Sequence, residues 1–419
     1  MRMSVRVMWF FCIMSCKLGV IEIGGVIMKI FHTADWHLGK LVQGVSMTTD
    51  QQFILQQFIE EIQIEKPDVI IIAGDLYDRS VPPTDAIQLL NKTFKQILID
   101  EKTPIVAIAG NHDSATRLNF GSDLMKASGL HMIGHLEKFI EPVILHDEYG
   151  EVHFYLVPFA EPSTVRTIFE DDSITTHEAA MTKIIGQINE NLDETKRNII
   201  VAHAFVTKDG MPEPNTSDSE RKLTIGGTEC INSSLFAPFC YTALGHLHQA
   251  HFVANETIQY AGSPLKYSES EVTHKKGFLI VDIDKDGQVT VEKKLLKPKR
   301  EMRIVTGELD EILQHPRDED YVFVKLTDDS YVKGAVELIR TVYPNALHIE
   351  RTSVYRQIEQ QTSTMNRVQM DDSELFELFY TEMTGNELSS EIKAIYTDVL
   401  QQLADSEREK QEVLVHEAD

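Results

Sequence analysis

From residue 28 to about 290, short apolar runs alternate with stretches whose apolar residues recur at helical spacing. KIFHTAD, PDVIIIAGDLYD, TPIVAIAGNHD, VHFYLVPF, NIIVAHAF, YTALGHLH and GFLIVDID read as strands, and the VIII run in the second is apolar enough to be buried on both faces. In MTTDQQFILQQFIEEIQIEK, residues Phe53, Leu55, Phe58, Ile59 and Ile62 fall on one helical face, and TDAIQLLNKTFKQIL reads as a second helix. The order predicts a large α/β domain.

Polar residues gather where these strands stop: Asp35 and His37; Asp75, Tyr77 and Asp78; Asn111, His112 and Asp113; His203; His246 and His248. All are expected on one edge of the sheet, outside the strands' carboxyl ends, where ligands sit in such folds. If the first strand continues extended, Asp35 and His37 face the same side. The same spacing lets His246 and His248 turn two rings toward one centre.

Near residue 297, at KPKREMRIVTGEL, the pattern changes. A smaller α+β unit is predicted, with a strand at 303–307, a short helix at 308–314, a strand at 321–327, a helix at 332–343 and a strand at 346–351. A polar linker, QQTSTMNRVQMDD, leads into an acidic tail with 14 acidic and 3 basic residues from Asp371 onward. Two helices are expected there, one with a stripe of Leu375, Phe376, Leu378, Phe379 and Met383. The other carries Leu388, Ile392, Ile395, Val399 and Leu403, with a turn at 384–386. Neither stripe is buried by its own helix, so each needs the body of the protein, the other helix or a partner.

The chain has 419 residues, room for two or three domains, and a formal net charge of −25. That charge excludes a protein that coats nucleic acid by bulk electrostatics, but it leaves open a local basic groove or a metal that supplies the positive charge. Lys266, Lys275, Lys276, Lys293, Lys294, Lys297, Lys299, Arg300 and Arg303 form a basic run that could track phosphates or be a solvated face. Cys12, Cys16, Cys230 and Cys240 show no CxxC spacing and read as reduced thiols. The first 27 residues combine arginines, an apolar run and an IMSC box, like a secretion signal. Met28 begins a complete strand, so it is the expected start, with 1–27 a non-native or disordered extension.

Taken singly, each strand-end residue has an ordinary explanation, since GD and GN are common turn dipeptides. Taken together, imidazole, carboxylate and amide donors at five strand ends suit manganese, iron or zinc. Burying that many ionisable groups without a metal would cost several kcal/mol apiece.

The set D-x-H, GDxxDR, GNHD, a lone His after a strand and GHxH resembles the calcineurin-like metallophosphoesterase superfamily over roughly residues 28–290. ADWHLG, AGDLYDRSVPP and AGNHDSATRL, with the smaller unit and helical tail, are similar to its bacterial SbcD nuclease-subunit branch over nearly the whole chain after Met28. The resemblance implies an α/β fold: a metallophosphoesterase β-sandwich flanked by helices (28–296), a small α+β DNA-capping domain (297–355), a linker (356–370) and a helical partner-docking segment (371–419). It implies that Asp35, His37 and His248 hold one divalent metal, that Asn111, His203 and His246 hold a second, and that Asp75 bridges them. Manganese is expected, with magnesium, iron or zinc as alternatives.

The resemblance also places His112 against the scissile phosphate, with Asp113 orienting its ring, and has Asp78 and Arg79 hold the GDLYDR loop; the plainer role for His112 is bracing its turn. The implied activity is that of a 3'-5' double-strand exonuclease and single-strand or hairpin endonuclease acting on DNA in end processing, recombination and replication. The implied partners are DNA, an SbcC-type coiled-coil ATPase and a second copy of the chain within a heterotetramer, paired through helices near 50–65 or 114–127. This chain has no GxxxxGK[ST] loop, so ATP control would come from the partner. A cytoplasmic location and no membrane partner are expected. The alternatives are a small-substrate or protein phosphoesterase of the same superfamily, and a scaffold whose metals only organise a DNA-end complex.

Overall fold

The computed structural model describes residues 27–210, 230–328, 332–351, 376–377, 380 and 388–399. The leader up to residue 26 and the linker at 356–370 lie outside the described residues, as does most of the first tail helix. No helix among the described residues is long and apolar enough to cross a membrane. The chain divides into two compact units, Met1–Ile304 and Val305–Asp419.

The first unit is built on twelve principal strands: β1 (Met28–Thr33), β2 (Val69–Ile72), β3 (Ile105–Ile108), β4 (Leu130–Ile133), β5 (Val143–Asp147), β6 (Gly150–Val157), β7 (Arg197–His203), β8 (Tyr241–Gly245), β9 (His251–Val253), β10 (Asn255–Tyr260), β11 (Gly277–Ile283) and β12 (Val289–Leu295). They form two six-stranded sheets, ordered β12-β11-β1-β2-β3-β4 and β9-β10-β8-β7-β6-β5. In the first sheet β1 to β4 run parallel and the β11–β12 hairpin joins them through an antiparallel pairing of β11 with β1. In the second, β6, β7, β8 and β10 are parallel, with antiparallel β5 and β9 at the edges.

Strand alternation divides the apolar residues between the two faces. Met28, Ile30, Val69, Ile71, Val106 and Ile108 of the first sheet pack against Val152, Phe154, Ile199, Val201 and Ala243 of the second. His32 lies in that interior, 2.9 Å from the Tyr241 hydroxyl, and burial pushes its pKa down to about 3, so it stays neutral. Phe31, its neighbour, faces outward onto Phe278 and onto Phe58 of α1 (Thr48–Glu65). A second helix, α2 (Thr84–Lys95), follows β2. Across the molecule, α3 (Pro162–Phe169) and α4 (His177–Asn189) cover the other sheet through Val165, Phe169, Met181, Ile184, Ile185 and Ile188. The result is the helix-flanked β-sandwich that the motifs imply.

One sequence expectation fails on α1. Phe53 is 42% exposed, while Asp50 and Gln51 are buried on the face expected to be apolar. Both polar residues have tertiary work: Asp50 pairs with Arg300 at 3.0 Å, and Gln51 braces the loop after β1.

In the second unit, β13 (Met302–Gly307), β14 (Tyr321–Leu326) and β15 (Ala346–Arg351) form a three-stranded sheet in that order, β13 beginning just before the unit boundary. Helices α5 (Leu309–Ile312) and α6 (Ala335–Val342) close a small core of Val305, Leu309, Ile312, Val322, Val324, Ile339 and Val342. Farther along, the Phe376 ring stacks on Tyr396 at 3.8 Å, and Lys393 pairs with Glu377 at 2.7 Å, so the described parts of the tail meet each other. Ile395 and Val399 of the second tail helix remain exposed.

Candidate metal centre

The strand-end residues come from both sheets, not from one edge of a single sheet. Asp35 and His37 follow β1, Asp75 follows β2, and Asn111, His112 and Asp113 follow β3; His203 ends β7, and His246 and His248 follow β8. The two sheets can bring these loops together because small residues line the approach. A methyl group on Gly74 would lie 2.3 Å from His203 Nδ1, and one on Gly245 would lie 1.9 Å from the Ala73 carbonyl oxygen.

The local conformation also differs from expectation. Asp35 and His37 share a side, but not because the strand stays extended: their φ angles are 53° and 44°, in the left-handed region that non-glycine residues rarely adopt. Asp75 has φ 50°. The neighbouring loops hold one another there, since Asp35 N donates to the Gly74 carbonyl (3.1 Å), His37 N to Asp75 (3.0 Å) and Leu38 N to Leu76 (2.9 Å). Such strain persists where surrounding structure over-determines it, commonly at functional sites. His246 and His248 each lie against a different neighbouring imidazole. The His246 ring lies 5.3 Å from that of His203, the His248 ring 4.9 Å from that of His37, and His246 has φ 107°.

The donor atoms fall into overlapping groups. Those of Asp35, His37 and His248 lie within 4.8 Å of one another, as do those of Asp35, Asp75 and His203. Asp75 Oδ2 stands between, 3.6 Å from His37 Nε2 and 3.5 Å from His203 Nε2. On the second side Asn111 Oδ1 is 2.9 Å from His203 Nε2. His246 joins through its main chain, donating to Asp35 Oδ1 and Oδ2 at 3.0 and 3.1 Å. A third group unites His37, Asp75 and His112.

This donor set fits divalent cations. Asp35, His37, Asp75, His203, His246 and His248 are buried. Burial pushes the Asp35 carboxyl up to about 7, against the pull of His203 and His248. Burial disfavours a charge on His203 too, but Asp75 and Asp35 hold it protonated up to about 9. His246 is pushed down to about 3, chiefly by burial and then by His203. The shifts of Asp35 and His203 both come from buried carboxylate charge that the protein only partly compensates, and a cation at the same donors would offset it. His203 Nδ1 donates to the Ala73 carbonyl at 2.9 Å, which leaves Nε2 turned to the centre once its own proton is displaced.

His112 donates its main-chain N–H to Asp75 Oδ1 (2.8 Å), and its Nδ1 lies 2.8 Å from the Asp78 carbonyl oxygen. A carbonyl only accepts, so Nδ1 carries the proton of the neutral ring and Nε2 is left for another partner. This corrects the role expected of Asp113. Its carboxylate accepts from the Leu76, Tyr77 and Gly110 amides at 2.9–3.0 Å, so it knits two loops and leaves the orienting of His112 to Asp78 O. Asp78 pairs with Lys40 at 2.8 Å and approaches His37 Nδ1 at 3.7 Å, while half-exposed Arg79 reaches Asp78 at 3.7 Å.

Four of the nine residues in the basic run are spent on pairs within the fold. Lys294 pairs with Glu61 (2.9 Å), Arg300 with Asp50, and Lys266 with Glu301 (2.6 Å), while Lys276 is buried against Glu271. Four bracing residues escaped the sequence reading. Gln51 Nε2 donates to the His37 carbonyl at 2.7 Å, the Tyr267 hydroxyl donates to the Trp36 carbonyl at 2.6 Å, and Glu271 with Lys276 supports His248. Gln51 lies on a helix and the other three in a stretch rich in Ser, Glu and Lys, so pattern alone assigns them to solvent.

A family model described as calcineurin-like phosphoesterase matches residues 28–227, and one described as type 5 capsule protein repressor C-terminal domain matches residues 298–384. The SbcD subunit of the nuclease SbcCD from Staphylococcus epidermidis is 38% identical over 366 residues, 86% of this chain and 95% of that protein. Its counterpart in Staphylococcus saprophyticus is 37% identical over 383 residues, 90% and 99% of the two chains. Among solved structures, a dimetal phosphatase from Danio rerio matches with a TM-score of 0.36 at 12% identity, over 64% of this chain and 98% of that one. Both the motif residues and the extent of similarity to the staphylococcal proteins lead to one assignment: the chain belongs to the SbcD family of SbcCD nuclease subunits, within the calcineurin-like phosphoesterases.

Proposed function

We propose that this chain is the catalytic subunit of an SbcCD-like nuclease that hydrolyses DNA phosphodiesters. The observation that carries the reading is Asp75, buried between His37 and His203, with the His112 main chain tied to its second oxygen. Asp35, His37 and His248 would hold one metal, Asn111, His203 and His246 the other, and Asp75 both. Bound there, two divalent ions supply Lewis acidity and a water nucleophile activated at neutral pH. The protein's part is to fix the donors and to hold the His112 ring by its Nδ1–H on Asp78 O, so that Nε2, once the ring is protonated to imidazolium, donates to the leaving oxygen.

The finer reading is a manganese-dependent 3'-5' double-strand exonuclease and single-strand or hairpin endonuclease, serving DNA end processing, recombination and replication. The small α+β unit would cap duplex DNA, and the exposed Ile395 and Val399 would belong to the face that docks an SbcC-type ATPase. Lys275, Lys293, Lys297 and Lys299 are the members of the basic run left to meet phosphates.

The test is cleavage of an end-labelled blunt duplex with manganese, without and with the ATPase partner and ATP, and of a small phosphodiester alongside. Wild type should cut, and His112→Ala should lose about 10²- to 10⁴-fold while keeping its metals. Fast turnover of the small diester with no DNA cleavage in any mixture would favour the small-substrate phosphoesterase. DNA cleavage undiminished in His112→Ala would remove His112 from the chemistry.

A homodimer is part of the proposal. Of the two candidate segments, 114–127 carries the more exposed apolar surface: Phe120 and Leu124, in and beside the short helices Ala115–Asn119 and Ser122–Lys126, are 85% and 83% exposed. These two apolar side chains, four positions apart, are the surface that the proposed dimer would cover. Light scattering should give a dimer for wild type and a monomer for Phe120→Asp with Leu124→Asp. A dimer in both would shift the interface to 50–65.

A further inference from the structure

We propose that Glu271 and Lys276 are a positioning pair for the metal centre, fixing His248 by its ring and its main chain together; the inference rests on the reading of His248 as a metal ligand. Glu271 is wholly buried, with Oε1 3.1 Å from His248 Nδ1 and Oε2 2.5 Å from Lys276 Nζ. Lys276, itself buried, also donates to the His248 carbonyl at 2.8 Å and to Ser263 Oγ at 2.8 Å. Ser263 N adds a second donor to that carbonyl at 3.2 Å. The ring of His248 is thus gripped by the carboxylate and its backbone by the ammonium, from two residues five positions apart at the entry to β11.

The contact has a chemical consequence. An ionised carboxylate only accepts, so Nδ1 of the neutral His248 ring must carry the hydrogen and Nε2 the lone pair. Nε2 is the atom turned to the centre, 3.0 Å from His37 Nε2. Lys276 keeps Glu271 ionised in a site where a lone carboxylate would not remain so. Energetics argue that the pair is not there for the fold. Removing two charges from water costs about as much as their attraction returns, and apolar residues of similar volume commonly serve the fold as well or better. Stability alone is therefore a weak reason for the pair, whereas ring orientation and tautomer both need it.

The experiment titrates manganese onto the full-length apoprotein, following free metal by its magnetic resonance signal, with calorimetric melting of each apoprotein beside it. Glu271→Asp keeps a charge for Lys276 but withdraws the carboxylate from the ring by one methylene. Glu271→Leu with Lys276→Met removes both charges together. Both should melt close to wild type, yet bind one of two manganese ions about 10- to 100-fold more weakly, the other being unchanged. Wild-type binding at both sites in both variants would overturn the positioning role. So would a fall in melting temperature in both with metal affinity intact, since the pair would then be structural. His248→Ala separates the two readings. If it too binds both ions as wild type does, the ligand assignment of His248 has failed, and the clamp fails with it; if it loses one site while the pair variants keep both, only the clamp is wrong.

Discussion

Asp75→Asn is expected to reduce nuclease turnover by on the order of 10³-fold or more and to weaken manganese binding by more than about 100-fold at both sites. Asparagine is nearly isosteric and still offers Oδ1 to the His112 main-chain N–H, so the bond at 2.8 Å that joins the two loops survives. What it lacks is the charge and the second anionic oxygen between His37 and His203. Histidines 37, 112 and 203 together hold the Asp75 carboxyl well below the ordinary carboxylate range, despite the opposing effect of burial. The group therefore stays ionised at neutral pH and is available to two cations at once. Metal titration should show both sites impaired in this variant, in contrast to Glu271→Asp, where one is spared. Two manganese ions bound with wild-type affinity would show that Asp75 is not shared.

Gly245→Ala is the second large effect, and it acts through the fold. Gly245 ends β8 in the second sheet, and the carbonyl of Ala73 lies at the end of β2 in the first. The added carbon would meet that oxygen at 1.9 Å and the Ala34 Cβ at 3.0 Å. The obstacle on one side is backbone, which has no rotamer to yield, so the sheets must part at the ligand end. A cost of about 3 kcal/mol or more is expected, at the upper end of overpacking penalties. For a unit of this size that corresponds to a melting temperature lower by roughly 5 °C. Parting the sheets also pulls His203 and His246 away from Asp35 and Asp75, so manganese affinity should fall with stability. A variant that melts like wild type would mean that the close approach is not needed.

The two substitutions differ in how much of their effect could be read along the chain. Asp75 stands in GDLYDR after a run of isoleucines, and the run, the turn and the carboxylate are all local facts. Glycine at 245 reads as an ordinary turn residue in the same way, and nothing nearby says that another strand's carbonyl lies against it. The same division holds for Asp113. Its place in GNHD suggested a partner for the adjacent imidazole, but the amides of Leu76 and Tyr77 come from the loop after a different strand and claim it first. The basic run met the same difficulty, because Glu61 and Asp50, which take up Lys294 and Arg300, sit on α1, far earlier in the chain.

Residue order alone was enough to establish the chemical identity of the donors, the strands that end in them, and the apolar alternation that buries each strand. These follow from side-chain type and periods of two and 3.6, which are properties of neighbouring residues. Which donors meet depends instead on long-range packing. His37 and His248 stand 3.0 Å apart across 211 positions because two sheets close face to face, and Asp35 and His37 aim together because a neighbouring loop holds them at positive φ. The buried Glu271 and Lys276 belong to that second class. Their meaning comes from the ring they enclose, and the ring is brought to them by the packing of the core.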